Sequence, residues 1–89
     1  MEEEIIAESA QFAKDEQEKI IGEIKKTRQE KGYSQQKLSD LSGVRQPIIA
    51  RMEKGKTTPQ LETVLKILYP MDKKLAVVPN DTLKGGADS

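Results

Sequence analysis

The chain has 89 residues, 34% of them charged and only 3% aromatic, so it can form one small domain with an aliphatic core. Because it has neither histidine nor cysteine, it lacks the side chains for a disulfide, a thiol nucleophile or an ordinary zinc site, and we expect neither an enzyme nor a bound metal or cofactor. Its net charge is zero, but residues 1–23 hold eight acids against two bases, whereas residues 24–56 hold nine bases against three acids. The basic segment suits a phosphate backbone and the acidic one a basic partner, although charge alone favours solvated helix surface for both.

The first 31 residues favour helical structure. Apolar side chains recur there at about helical spacing, at Ile5, Ile6, Phe12, Ala13, Ile20, Ile21 and Ile24. We predict one helix near residues 3–13 and a second from about residue 16 to residue 31, and the polar stretch between them leaves open whether they are continuous. The acidic N-terminus lacks the basic region of a secretory signal, and no apolar run approaches the length of a membrane span, so we expect a cytoplasmic protein without a membrane segment.

Residues 33–59 predict two short helices joined by a glycine turn, which is the pattern of a helix-turn-helix. Ser34 is a good N-cap for a helix from Gln35 to about Ser42, because its hydroxyl can accept a hydrogen bond from a free backbone N–H. Gly43 suits the turn. Pro47 suits the first turn of the second helix, where its missing N–H has no intrahelical partner to lose.

The remaining residues predict one more helix and one strand. Pro70 ends the helix, whose apolar stripe consists of Leu61, Val64, Leu65 and Leu68. The run LAVVP then predicts a strand within residues 71–79, formed by Leu75, Ala76, Val77 and Val78. Since the chain offers no second strand, we expect this one to pair with its copy in a homodimer. Residues 80–89 are predicted to form a flexible tail.

The stretch LSDLSGVRQPIIARMEKGKTTP resembles the helix-turn-helix of Cro/CI (Xre-type) repressors, and the likeness covers about residues 20–69. The longer run PIIARMEKGKTTPQLETVLKIL, followed by KKLAVVP, is similar to the HigA-like antitoxins of type II toxin–antitoxin modules. The resemblance implies an all-α fold, with a five-helix lambda-repressor-like domain and a short C-terminal strand that pairs across a dimer. The chain would then divide into an acidic N-terminal helix or extension, a helix-turn-helix domain, a dimerisation strand and a tail, at residues 1–15, 16–70, 71–79 and 80–89.

The resemblance also implies which residues contact double-stranded DNA at a palindromic operator. Gln46, at the start of the recognition helix, is the strongest candidate for reading a base, since a glutamine amide can make a bidentate contact with adenine. Arg45 stands where the family usually has a capping Ser or Thr, and Pro47 cannot read a base by hydrogen bond, so we expect DNA shape to contribute. The full candidate set is Ser34, Gln35, Lys37, Arg45, Gln46, Pro47, Ile48, Arg51, Lys56 and Thr57. Arg28 and Glu53 are implied to form a structural salt bridge between the first helix and the recognition helix.

Three functions remain open. The first is an antitoxin that neutralises a small basic ribonuclease toxin, with Ile5, Ile6 and Phe12 as its toxin contacts, and represses its own operon. The second is a stand-alone Xre-type repressor without a toxin partner. The third is a protein-binding module that has lost DNA binding. The departures from the family pattern at Arg45 and Pro47 are compatible with it, but the basic segment argues against it.

Overall fold

The computed structural model describes residues 2–80. Their regular structure consists of four α-helices and one turn of 3₁₀ helix: α1 (Glu2–Glu30), α2 (Gln35–Ser42), α3 (Gln46–Glu53), α4 (Leu61–Leu68) and the 3₁₀ turn (Tyr69–Met71). The longest dimension is 46 Å, against 24 and 19 Å for the other two, because α1 has 29 residues and is therefore about 43 Å long. The predicted all-α class is confirmed.

The two predicted N-terminal helices are one continuous helix, so the five-helix count is wrong for the described residues. The polar stretch between Ala13 and Ile20 contains strong helix formers and neither glycine nor proline. Side-chain pairs one turn apart support it: Gln11 Nε2 donates to Asp15 Oδ1 at 2.9 Å, and Lys19 Nζ lies 3.2 Å from Glu16 Oε2. Polarity alone therefore does not end this helix.

The first half of α1 extends beyond the buried core of the domain. Residues 2–15, called the arm below, are all exposed, and burial begins only further along the helix, at Ile21, Ile24 and Arg28. Ile5 and Ile6 are 63% and 65% exposed and Phe12 is 40% exposed. The arm thus carries two largely exposed isoleucines, whereas Phe12, nearer the domain, is partly covered by residues 76–80.

The core is aliphatic, as the composition predicts, but the part of α4 that enters it differs from the predicted stripe. Ile67 is fully buried beside Val64 and Leu68, whereas Leu61 and Leu65 are 64% and 43% exposed. The reason is that α4 packs against α2 and the 3₁₀ turn with the face centred on Val64 and Ile67, which leaves its other apolar flank outside. The complete buried set is Ile21, Ile24, Leu38, Val44, Ile49, Met52, Val64, Ile67, Leu68 and Met71.

The predicted strand within residues 71–79 is wrong for the single chain. Met71 belongs to the 3₁₀ turn and is buried, and residues 73–80 have no regular secondary structure. Leu75 packs against the core, while Val77 and Val78 are exposed. No second strand lies in the described residues to provide hydrogen bonds, so pairing with a second copy remains a prediction. The predicted tail, apart from Asn80, lies outside the described residues.

Candidate nucleic-acid interface

Local capping sets the geometry of α2 and the turn that follows it. The Ser34 hydroxyl accepts a 2.9 Å hydrogen bond from the backbone N–H of Lys37, so the predicted N-cap is confirmed. At the other end Gly43 has φ 78°, a left-handed conformation that glycine adopts without steric cost, and its N–H donates to the carbonyl of Ser39. These two features fix where α2 begins and where the chain turns into α3.

The start of α3 has no side-chain cap. Arg45 occupies the N-cap position with extended backbone angles, φ −64° and ψ 141°, and its side chain makes no capping hydrogen bond. Pro47 lies in the first turn, as predicted. Ile49 and Met52 are fully buried and hold α3 against the core. The backbone N–H groups at this helix start are therefore left without a side-chain acceptor from Arg45.

One face of α3 is turned away from the core. Pro47, Arg51 and Lys54 follow one another at i, i+4 and i+7 and are all exposed. Gln46 is half-buried on the neighbouring side, and Ile48 is 37% exposed. Lys54 is absent from the sequence-derived set, although its spacing of seven residues from Pro47 places it on the same face.

A chain of hydrogen bonds, called the relay below, joins α1 to this face. Arg28 donates to Glu53 from Nε at 2.7 Å and from Nη2 at 2.9 Å, and its Nη1 donates to the Tyr33 carbonyl at 2.7 Å. Gln35 Nε2 donates to Glu53 Oε1 at 3.0 Å. Gln46 Nε2 donates in turn to Gln35 Oε1 at 2.8 Å. The salt bridge in the interior is thus connected, through Gln35, to the residue expected to read a base.

Glu53 is charged within this relay. Its side chain is only 2% exposed, and burial by itself raises the pKa of a carboxyl group. The hydrogen bonds from Arg28 and Gln35, together with the charges of Arg28 and Lys25, outweigh burial and hold the pKa of Glu53 below its ordinary value of 4.5. Near neutral pH the carboxylate therefore only accepts hydrogen bonds.

The other candidates lie on three different parts of the chain. Lys37, Lys56 and Thr57 are exposed, at the start of α2 and in the loop after α3. Phe12 of the arm lines one shallow depression together with Ala76, Val77 and Val78. The structure thus brings one expected toxin contact close to the expected dimer strand, whereas Ile5 and Ile6 lie further out on the arm.

Residues 2–80 contain no group of acidic side chains arranged to hold a metal ion.

Comparison with known proteins identifies the family. The family described as "Helix-turn-helix" matches residues 24–76. An "Uncharacterized HTH-type transcriptional regulator" from Haemophilus influenzae is 57% identical over 60 residues, which make up 67% of this chain and 61% of that protein. A chain of a "Toxin-Antitoxin module from Streptococcus pneumoniae" is 51% identical, with a TM-score of 0.59 over 90% of this chain and 82% of its own.

The matched region contains the whole of α2, α3 and α4, and also Arg28, the residue that α1 contributes to the relay. No helix among residues 2–80 is both long and apolar enough to cross a membrane. The predicted family is confirmed: the chain belongs to the helix-turn-helix family, of the Cro/CI (Xre) type, and is homologous to a component of a toxin–antitoxin module.

Proposed function

We propose that this protein is an antitoxin that binds its operator through α3, represses its own operon and neutralises a small basic ribonuclease toxin. The observation that best supports DNA binding is the position and hydrogen bonding of the Gln46 side chain. Its Nε2 is held by Gln35 while its side chain remains partly exposed at the start of α3. A glutamine held in one orientation at a helix start is suited to reading a base edge in the major groove.

Phosphate contacts would position α3 without reading sequence. Ser34, Lys37 and the first backbone N–H groups of α2 form one candidate phosphate site, and Lys56 with Thr57 forms another. On α3 itself we assign Arg45, Arg51 and Lys54 to phosphate or guanine, Ile48 to a thymine methyl group, and Pro47 to shape complementarity. Substituting one phosphate-binding lysine should weaken binding to all sequences and lower the salt slope by about 1.

Binding of labelled promoter DNA, measured by fluorescence anisotropy at fixed salt, tests this assignment. We expect Gln46→Ala to weaken specific binding by about 1–3 kcal/mol, or roughly 5- to 150-fold, while binding to unrelated DNA stays the same. Gln36→Ala is the matched control, because the side chain of Gln36 is exposed and donates only to Asp40 within its own helix. If Gln46→Ala kept both its affinity and its base preference, Gln46 would not be the base reader.

A palindromic operator calls for a twofold dimer. We propose that Leu75, Ala76, Val77 and Val78 pair with the same segment of a second copy, since Val77 and Val78 are exposed and the segment forms no ladder within residues 2–80. Val77→Pro should give monomers in sedimentation, because proline removes a ladder donor. Leu65→Glu, on the exposed flank of α4, is the control and should remain a dimer. If Leu65→Glu gave monomers and Val77→Pro did not, the dimer interface would lie on α4 instead.

The arm is our candidate for the toxin contact. It carries five acids against one base, and Ile5, Ile6 and Phe12 expose apolar surface that can anchor a partner. An acidic, amphipathic helix suits a partner with a basic rim around an apolar groove. The relation to a toxin–antitoxin module supports a toxin partner, and the exposed apolar side chains support the arm as its contact.

Co-expression of the adjacent gene product with a tagged copy of this protein tests the partner. We expect a small basic protein to be retained in fixed stoichiometry, and deletion of residues 2–15 to release it without changing operator binding. The relative described as a transcriptional regulator keeps a second candidate open, a stand-alone repressor. A chain that purifies alone but binds its own promoter would establish that alternative.

A further inference from the structure

The face of α1 that enters the core continues along the arm. Ile6 and Ile24 are separated by 18 residues, which make about five turns of an α-helix, so the two side chains lie on the same face of α1. Ala13, about two turns after Ile6, lies on this face too. Ile24 is buried in the core, whereas Ile6 is 65% exposed. The core therefore covers this apolar face at one end of α1 and leaves it open at the other.

Where the arm meets the domain, the same face borders a groove between α1 and the start of α4. The groove is lined by Ala13 and Gln17 on one side and by Pro59 and Leu61 on the other. Gln17 Nε2 donates to the Thr58 hydroxyl at 3.4 Å, which joins the loop before α4 to α1. Leu61 remains 64% exposed. Since Ala13 belongs both to the groove and to the open face of the arm, the two form one apolar surface, called the arm groove below.

Ile5 and Phe12 belong to a different side of the helix. Phe12 follows Ile5 by about two turns, and successive residues of an α-helix are rotated by about 100°, so this side is turned away from the face of Ile6. Residues 76–80 partly cover Phe12, and they include most of the segment that we propose pairs with a second copy. This side of the arm is therefore partly occupied by the chain itself, and the face of Ile6 is the one left for a partner.

Acidic side chains lie at both ends of the arm groove. Glu2 and Glu3 precede Ile6 by four and three residues, which makes them its neighbours on the helix surface. Glu16 lines the groove at the other end. The arm of a second copy would bring like charges together here, because the arm holds five acids against one base. A partner with basic residues on both sides of its apolar side chains would instead meet complementary charge.

We infer that the partner site of this protein is the arm groove, which runs from Ile6 through Ala13 to Leu61. Its occupant is a segment of a basic protein in which lysine or arginine residues flank apolar side chains. The inference rests on the proposed antitoxin function and names the surface of its partner site. The partner thus contacts α4 of the domain as well as the arm.

Two pairs of exposed side chains on different helices make the test specific. Ile6 lies on the arm groove, and Ile5, with nearly the same exposure of 63%, lies on the other side of the arm. On α4, Leu61 lines the groove, whereas Leu65, 43% exposed, lies one turn further along the helix and outside it. Because all four side chains are exposed, replacing any one by alanine should leave the domain folded, which thermal unfolding followed by circular dichroism verifies.

Isothermal titration with the purified basic protein encoded by the adjacent gene compares the four variants with the wild type. We expect Ile6→Ala and Leu61→Ala each to raise the Kd about tenfold or more, as truncation of a central apolar anchor does. Ile5→Ala should raise the Kd much less than Ile6→Ala. Leu65→Ala is the control on α4 and should bind like the wild type.

Three results would contradict the inference. Equal losses from Ile5→Ala and Ile6→Ala, with no loss from Leu61→Ala, would overturn the arm groove and leave the arm as the toxin contact. Dissociation of the homodimer by Leu61→Ala in sedimentation, with partner binding unchanged, would assign the groove to a second copy and overturn it as well. A wild-type chain that binds no product of the adjacent gene would refute the antitoxin function, and this inference with it.

Discussion

The ion pair between Arg28 and Glu53 makes the strongest stability prediction. We consider Arg28→Met, which keeps most of the side-chain length but removes the charge and three hydrogen bonds, two to Glu53 and one to the Tyr33 carbonyl. Glu53 would remain 2% exposed or nearly so, with Gln35 as its one remaining hydrogen-bond donor in the relay. A buried carboxylate would thus lose its counter-charge while staying out of water.

Removing one partner of a buried ion pair costs about 3–5 kcal/mol, since the other charge is left uncompensated. A small domain has only about 5–15 kcal/mol of unfolding free energy in total, so the variant should lose about a fifth of it or more. With a urea dependence of about 1–3 kcal/mol per molar, the unfolding midpoint should fall by at least about 1 M.

Urea unfolding followed by circular dichroism measures this change, and the chain contains a matched control. Lys66 Nζ lies 3.5 Å from Glu62 Oε2 in a pair whose side chains are 56% and 76% exposed. Lys66→Met should cost less than about 1 kcal/mol, because water screens an exposed pair. If Arg28→Met were no more destabilising than Lys66→Met, the argument from burial would be refuted.

The same pair predicts a dependence on pH. The pKa of Glu53 is lowered in the folded state, so its contribution to stability is fully present above the ordinary value of 4.5 and is lost as the pH falls through the folded pKa. The wild type should therefore become less stable below about pH 4.5, and Arg28→Met should lack this part of the acid dependence. Unfolding midpoints measured between pH 3 and pH 7 compare the two.

Three further predictions concern the backbone and the arm. Gly43→Ala should cost about 1–2 kcal/mol of unfolding free energy, because alanine is strained at φ 78°; the added Cβ itself would meet no neighbouring atom within 4 Å. Gly22→Ala should instead add about 0.5–1 kcal/mol, because Gly22 lies within α1 and an added Cβ has open space there too. The two variants should therefore shift the thermal unfolding midpoint in opposite directions. Ser34→Ala should cost about 1 kcal/mol in the same assay through loss of the N-cap, and a shift of zero would contradict that role. Deleting residues 2–15 should leave the melting temperature of the domain unchanged, because these residues are exposed; a large decrease would mean that the arm supports the core.

The sequence alone predicts those features of the site that depend on residues close together in the chain. The Ser34 cap, the Gly43 turn and the place of Pro47 in α3 each follow from the conformational preference of one residue, and the sequence predicts all three correctly. The family could be recognised for the same reason, since its motif is a succession of such local features with fixed spacing. Together they determine that two short helices meet at a turn.

Features that depend on contact between distant residues needed the tertiary structure. Only packing shows that Ile67, and not Leu61 or Leu65, fills the core, because the apolar arc of α4 is wider than the face that packs against α2 and the 3₁₀ turn. The sequence of the arm predicts a helix, but the exposure of that helix follows from where the rest of the domain ends. The relay is the clearest case: Gln35 and Glu53 are 18 residues apart, and no spacing rule indicates that their side chains would form a hydrogen bond. Such contacts are decided by how the helices pack, since a side-chain hydrogen bond requires two atoms to meet within about 3 Å.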